Sequence, residues 1–228
     1  MQRRKFTSGL LCIGSLWPAA SNAQAEVSEV DAGSGIRAAL ERGAVSAVGL
    51  LGKADGFAGN PLVRIPLPGF LNDMAKIAKF TGQQGKVDEL VAAMNRAAEA
   101  AVPEARTLLV SAVKSMSVND ARRVLTGGEG SVTAFFAEKT RSALSAKFLP
   151  IVTKATDQVA LADKYNALAG KAAGLGLLKK EDANLQQYVT GKALDGLYLM
   201  IGEEEKKIRR DPIGTGSAIL QKVFGSLK

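Results

Sequence analysis

Histidine is absent from this sequence, and cysteine and tryptophan occur once each. Both single residues, Cys12 and Trp17, lie near the N-terminus. The remainder of the chain has neither a thiol nor an imidazole. That excludes a cysteine nucleophile, a Ser–His–Asp triad and a zinc site built on His or Cys. Carboxylates, lysine, serine, threonine and tyrosine are the groups left for acid–base or nucleophilic work. The lack of tryptophan after Trp17 also removes the broad aromatic faces that suit sugar polymers. With no pair of cysteines there is no disulfide, so stability has to come from a buried core.

The N-terminus reads as a secretory signal over residues 1–25. Arg3, Arg4 and Lys5 form a positive region, and Phe6 to Trp17 form a short apolar segment. That segment falls short of the roughly 20 apolar residues a membrane span needs. Ser21 and Ala23, then Ala23 and Ala25, supply small-x-small cleavage sites. The expected location is the periplasm. "RRKF" at 3–6 resembles a twin-arginine core, but its flanks depart from that pattern, so the general secretory route ranks first. "GLLC" lacks the small residue expected before a lipidated cysteine.

The chain carries 30 basic and 22 acidic residues, a net charge of +8. Removing the three basic residues at 3–5 leaves 27 against 22, or +5. The excess is spread along the chain. Together with export, this argues against nucleic acid as a partner and leaves a weak attraction for anionic envelope surfaces.

Beyond residue 25, apolar residues recur at helical spacing. One helix is marked by Ile36, Leu40, Ala44, Val48 and Leu51, with Gly52 closing it. Phe70, Met74 and Ile77 mark a second, and Leu90, Met94, Ala98 and Ala101 a third. Pro103 starts a fourth. Ser117 and Asp120 have capping-box spacing. Ser131 is placed as the cap of a helix with Phe135, Phe136, Lys139, Leu144 and Phe148 inward, kinked or restarted at Pro150. Asp182 is placed as the cap of the last long helix, whose inward line is Leu185, Val189, Leu194, Leu197, Ile201 and Ile208. The expected fold is an all-α, single compact multi-helix domain over residues 26–228. It carries one long Pro/Gly-rich loop at 53–68 and no transmembrane segment after signal removal.

Several segments carry a family resemblance: "ADGFAGNPLVRIPLP" (54–68), "MNRAAEAAVPEARTLLVSAV" (94–113), "MSVNDARRVLTGG" (116–128), "KFLPIV" (147–152), "YVTGKALDGLYLMIGEEEKKIRRDP" (188–212) and "KVFG" (222–225). The chain resembles the bacterial domain-of-unknown-function family 4197. That resemblance implies an exported, single-domain, largely helical protein of Gram-negative bacteria. It supplies no activity and no site residues. Members often carry an Arg-Thr-Thr-Asp-like stretch before the final helix, where this chain has "GTGSAI" (214–219).

Candidate site residues come from two places. The loop offers Asp55, Asn60 and Arg64 for a polar ligand, beside the plainer reading of a braced loop packed by Phe57, Val63 and Leu67. "EEEKKIRR" (203–210) sets Glu203 before Lys207 and Glu205 before Arg209, the favourable order for i,i+4 pairs. The line Leu197, Ile201, Ile208 passes through Glu204 or Glu205, so one of them should point inward and need a basic partner. Arg64 is the expected partner. Ligand-binding candidates are thus Asp55, Asn60, Arg64, Glu204, Glu205 and Arg209. No catalytic residue, metal or cofactor is assigned. "GTGS" at 214–217 follows no strand and reads as a turn with Ser217 capping a helix, not as a phosphate loop. Asn95, Arg96 and Glu99 read as surface residues, and the three tyrosines as core-edge residues.

Three functional readings stay open. The first is a non-enzymatic binding or accessory protein for a small or lipid-like ligand or an envelope protein. The second is a structural, envelope-interaction module without a pocket. The third is a carboxylate-based hydrolase using Glu204 or Glu205. Overall the sequence leans away from an enzyme.

Overall fold

A computed structural model describes residues 29–69, 82, 84–157, 159–174 and 184–211. The leader, the helix expected around Phe70–Ile77, Asp182 and the "GTGS" turn with Ser217 lie outside the described residues. Among those described there is no strand. The helices are α1 (Glu29–Leu51), α2 (Gln84–Ala101), α3 (Ala105–Lys114), α4 (Val118–Thr126), α5 (Ser131–Thr156), α6 (Ala160–Gly174) and α7 (Leu185–Arg210). A 3-10 turn, Val102–Glu104, joins α2 to α3. The all-α expectation holds.

Helices α5 and α7 pack most extensively on one another. Helix α2 lies along α5, and α1 lies between α7 and α3. One continuous apolar core fills the space between them, from Ile36 and Leu51 in α1 through Leu90 and Met94 in α2 to Phe136, Phe148, Leu197 and Ile201. Tyr165 and Tyr198 are fully buried in it, deeper than the core edge expected for them. The Tyr198 hydroxyl lies 2.9 Å from Thr140 Oγ1, so burying it leaves no orphan phenol.

Local chemistry explains where the helices start and stop. Gly52 donates to the Val48 carbonyl as α1 ends. Pro103 sits in the first turn of the 3-10 segment, and α3 begins two residues later. Ser117 and Asp120 form the full capping box of α4. Hydrogen bonds from the Ser117 hydroxyl, then from Arg123, hold the Asp120 carboxyl down at about 2. Ser131 does not cap α5. Gly130, at φ +87°, holds the cap position, and the Ser131 hydroxyl donates to the carbonyls of Val124 and Gly128. Pro150 sits inside α5 and does not end it. Lys139 is exposed, and Thr140 takes the inward position, donating to the Phe136 carbonyl. Asn184 caps α7 by accepting the Gln187 N–H.

Residues 52–68 run without helix between α1 and the next described elements, across α2 and α7. Phe57, Val63 and Ile65 are buried, and Leu67 is half-buried. Gly196 of α7 allows this approach. A Cβ there would lie 2.9 Å from Phe57 Cε1 and 3.2 Å from Val63 Cβ. Gly196→Ala gains helix propensity of about 1 kcal/mol but overpacks a closed core, at about 1–3 kcal/mol. Net destabilisation is expected, read as a lower midpoint in urea unfolding. A raised midpoint would mean the segment does not press on α7.

Candidate functional site

Two groups of buried polar side chains are built differently, and the difference separates scaffold from site. The first group fastens residues 52–68. Asn95, fully buried on α2, accepts the Ile65 N–H at 2.9 Å. Its amide nitrogen donates to the carbonyls of Ile65, at 3.0 Å, and Val91, at 2.8 Å. One turn on, Glu99 Oε1 accepts the N–H groups of Phe57, at 3.0 Å, and Ala58, at 3.1 Å. Neither residue lies on the surface as expected, whereas Arg96 between them does. An irregular segment cannot pair its own amides, and an unpaired buried amide costs about 1–3 kcal/mol. Asn95 and Glu99 supply the missing partners.

The loop candidates follow from this arrangement. Asp55 is exposed in the turn, at φ +60°. Asn60 is half-buried; its Oδ1 accepts the Leu62 N–H and its Nδ2 lies 3.7 Å from Met200 Sδ. Arg64 is exposed. Its N–H closes a turn onto the Asn60 carbonyl, with Val63 and Ile65 buried on either side of it. Arg64 is not the partner of either glutamate.

The second group lies where α7 meets α1, α4 and the start of α5. Glu204 is drawn sideways, accepting Ser46 Oγ of α1 at 3.1 Å and Lys207 Nζ at 2.6 Å. Glu203 pairs with Lys206 rather than Lys207, at 2.9 Å. Glu205 is the inward carboxylate, 7% exposed. Arg209, one turn on, places Nε and NH2 each 2.7 Å from Glu205 Oε1. The same guanidinium donates to the Val124 carbonyl at 2.8 Å. That carbonyl is in the last turn of α4, where helices leave carbonyls unpaired and favour a cation. Arg209 therefore pairs with one oxygen of Glu205 and with the end of α4 together.

Glu205 Oε2 has no hydrogen-bond partner. Burial is the largest influence on this carboxyl and pushes its pKa up. Arg209 opposes that, Glu129 adds to it, and the Val132 N–H favours the anion without completing a hydrogen bond to Oε2. The carboxylate lines a cavity of about 20 Å³, walled by Ile36, Leu40, Val124, Val132, Ile201 and Ile208. That is room for roughly one water-sized group. A broader groove between α5 and α7 is more polar, but its central charges are matched. Arg141 pairs with Asp195 at 2.7 Å and lies over the Tyr198 ring, and Glu203 pairs with Lys206.

Of the six candidates, Glu205 and Arg209 come together at a cavity among the described residues. Among the described residues no cluster of three or more acidic, His or Cys side chains could hold a metal, and no helix is long and apolar enough to cross a membrane. The model of the family described as protein of unknown function (DUF4197) matches residues 26–225. The chain belongs to that family. No curated protein and no solved structure matches it.

A glutamate with a raised folded-state pKa binds its proton more tightly in the fold than in the unfolded chain. Its contribution to stability is complete below the unfolded-state pKa and is lost as pH rises through the folded-state value. Wild type should therefore lose stability relative to Glu205→Gln as pH climbs from about 4 to about 7, the range above an ordinary glutamate pKa. Urea unfolding of the two proteins across that range reads the difference. A wild type that gains on the variant with rising pH would contradict the burial cost.

Proposed function

We propose that this member of the family is a non-enzymatic binding protein that takes a small or lipid-like ligand in the cleft between α1 and α7. The observation that carries the reading is Glu205 Oε2, a buried acceptor without a donor at a cavity whose lining is apolar apart from Glu205 and Arg209. Native folds rarely leave such an atom unpaired, and leaving it so costs about 1–3 kcal/mol. A ligand that brings a donor and an apolar body offsets that cost. The loop candidates belong to the scaffold in this reading, because Asn95 and Glu99 already saturate the buried backbone around them.

Export to the periplasm is part of the proposal. Its support is the basic, apolar and small-residue order of residues 1–25, together with a family match that begins at residue 26. A ligand met there would be a metabolite or an envelope lipid.

A carboxylate-based hydrolase is the second reading, and one observation favours it: the Glu205 carboxyl is held above its ordinary value. Against it, Arg209 occupies the other oxygen, and among the described residues no second carboxylate lines the cavity to act as nucleophile or base. An envelope-interaction module is weaker, because the exposed Leu50, Leu62, Val118 and Leu199 come from different elements.

Native mass spectrometry of the mature protein, isolated gently from the periplasm, tests the proposal. A bound mass released on activation, and reduced in Glu205→Gln, is expected. A clean apo mass for wild type would move the function to the protein surface.

A further inference from the structure

We infer that the cleft recognises an uncharged hydrogen-bond donor on an apolar chain, a hydroxyl-bearing amphiphile, with the hydroxyl donating to Glu205 Oε2. This inference rests on the binding reading above and names its ligand class. Charge decides first. Arg209 already pairs with Glu205 through Oε1. An ammonium head would place a second cation beside the guanidinium, and a carboxylate or phosphate head would face Glu205 with Glu129 nearby. A neutral head adds no unmatched charge to a buried site.

Hydrogen bonding narrows the choice again. An alkane, ether or ketone would cover Oε2 without donating to it, leaving a buried acceptor unpaired. Water would be held below its usual complement, because buried waters typically make about three hydrogen bonds. Among the described residues two polar side chains, Glu205 and Arg209, line the cavity, beside walls of Ile, Leu and Val. Size limits the head, since about 20 Å³ admits one hydroxyl-sized group, and the chain would extend through the cavity's open side. The other buried side-chain atoms without partners, Arg37 Nε, Gln84 Oε1 and Thr190 Oγ1, are not on residues that line this cavity.

Methyl NMR of the full mature chain tests this with three probes of one length: 1-hexanol, hexylammonium and hexanoate. Saturable shifts of the Ile36, Ile201 and Ile208 methyls are expected with 1-hexanol, with affinity at least about tenfold above the two charged probes. A second arm uses Gly43→Ala. Gly43 lines the cavity, and a Cβ there would sit 3.6 Å from Glu204 Cβ and 3.9 Å from Ile208 Cδ1, ordinary contact distances. The variant keeps the fold, gains helix propensity and narrows the cavity, so hexanol affinity should drop several-fold. Tighter binding of either charged probe would overturn the neutral-donor assignment while leaving the cleft a binding site. Hexanol binding indifferent to Gly43→Ala would overturn it as well. Failure of all three probes to saturate these methyls would overturn both the inference and the binding reading.

Discussion

The fold depends on how an irregular segment is allowed into a helical core. Residues 52–68 bury Phe57, Val63 and Ile65, yet have no helix to pair the amides that go in with them. One carboxylate oxygen of Glu99 takes two of those amides, and the side chain of Asn95 takes both backbone groups of Ile65. Because both residues sit on one face of α2, a single helix positions the whole segment. The segment in turn sets how closely α7 can approach, through the missing side chain of Gly196.

The same residue types do opposite things in the two groups. Asn95 uses both ends of its amide, and Glu99 receives two donors from the backbone. Glu205 is as buried as Glu99, but its single partner, Arg209, covers one oxygen and is shared with the end of α4. A saturated buried polar group rigidifies, whereas an unsaturated one carries a standing cost. Binding proteins and enzymes alike place that cost where a ligand relieves it. Here the apolar walls, the matched charge and the lone free oxygen favour binding over chemistry.

Much of the fold was legible because helical periodicity is a strong signal in an Ala-rich chain. Ile36 to Leu51 and Leu185 to Ile208 fall on the faces the spacing assigns. The inward glutamate was legible too, since Glu205 lies on the line from Ile201 to Ile208. The expectation of Arg64 as its partner fails, because that arginine is exposed just past a turn closed onto Asn60. Arg209 was the nearer choice by one helical turn. Asn95 and Glu99 were read as surface because two polar residues at i,i+4 usually mark a solvated stripe. The contrary signal was the run of alanines around them, which lets neighbours close in on several sides of the helix. The Gly130 cap and the cavity had no sequence signature. Both arise from the way α4, α5 and α7 meet.

The most direct test is the pKa of the Glu205 carboxyl in the ligand-free mature protein, measured by carbon-detected NMR titration of its side chain. A buried carboxylate with one oxygen unpaired should titrate above the ordinary glutamate value of about 4.3. A value at or below that range would mean that donors reach both oxygens. The cleft would then hold a closed structural ion pair, and the proposal of a binding site there would fail.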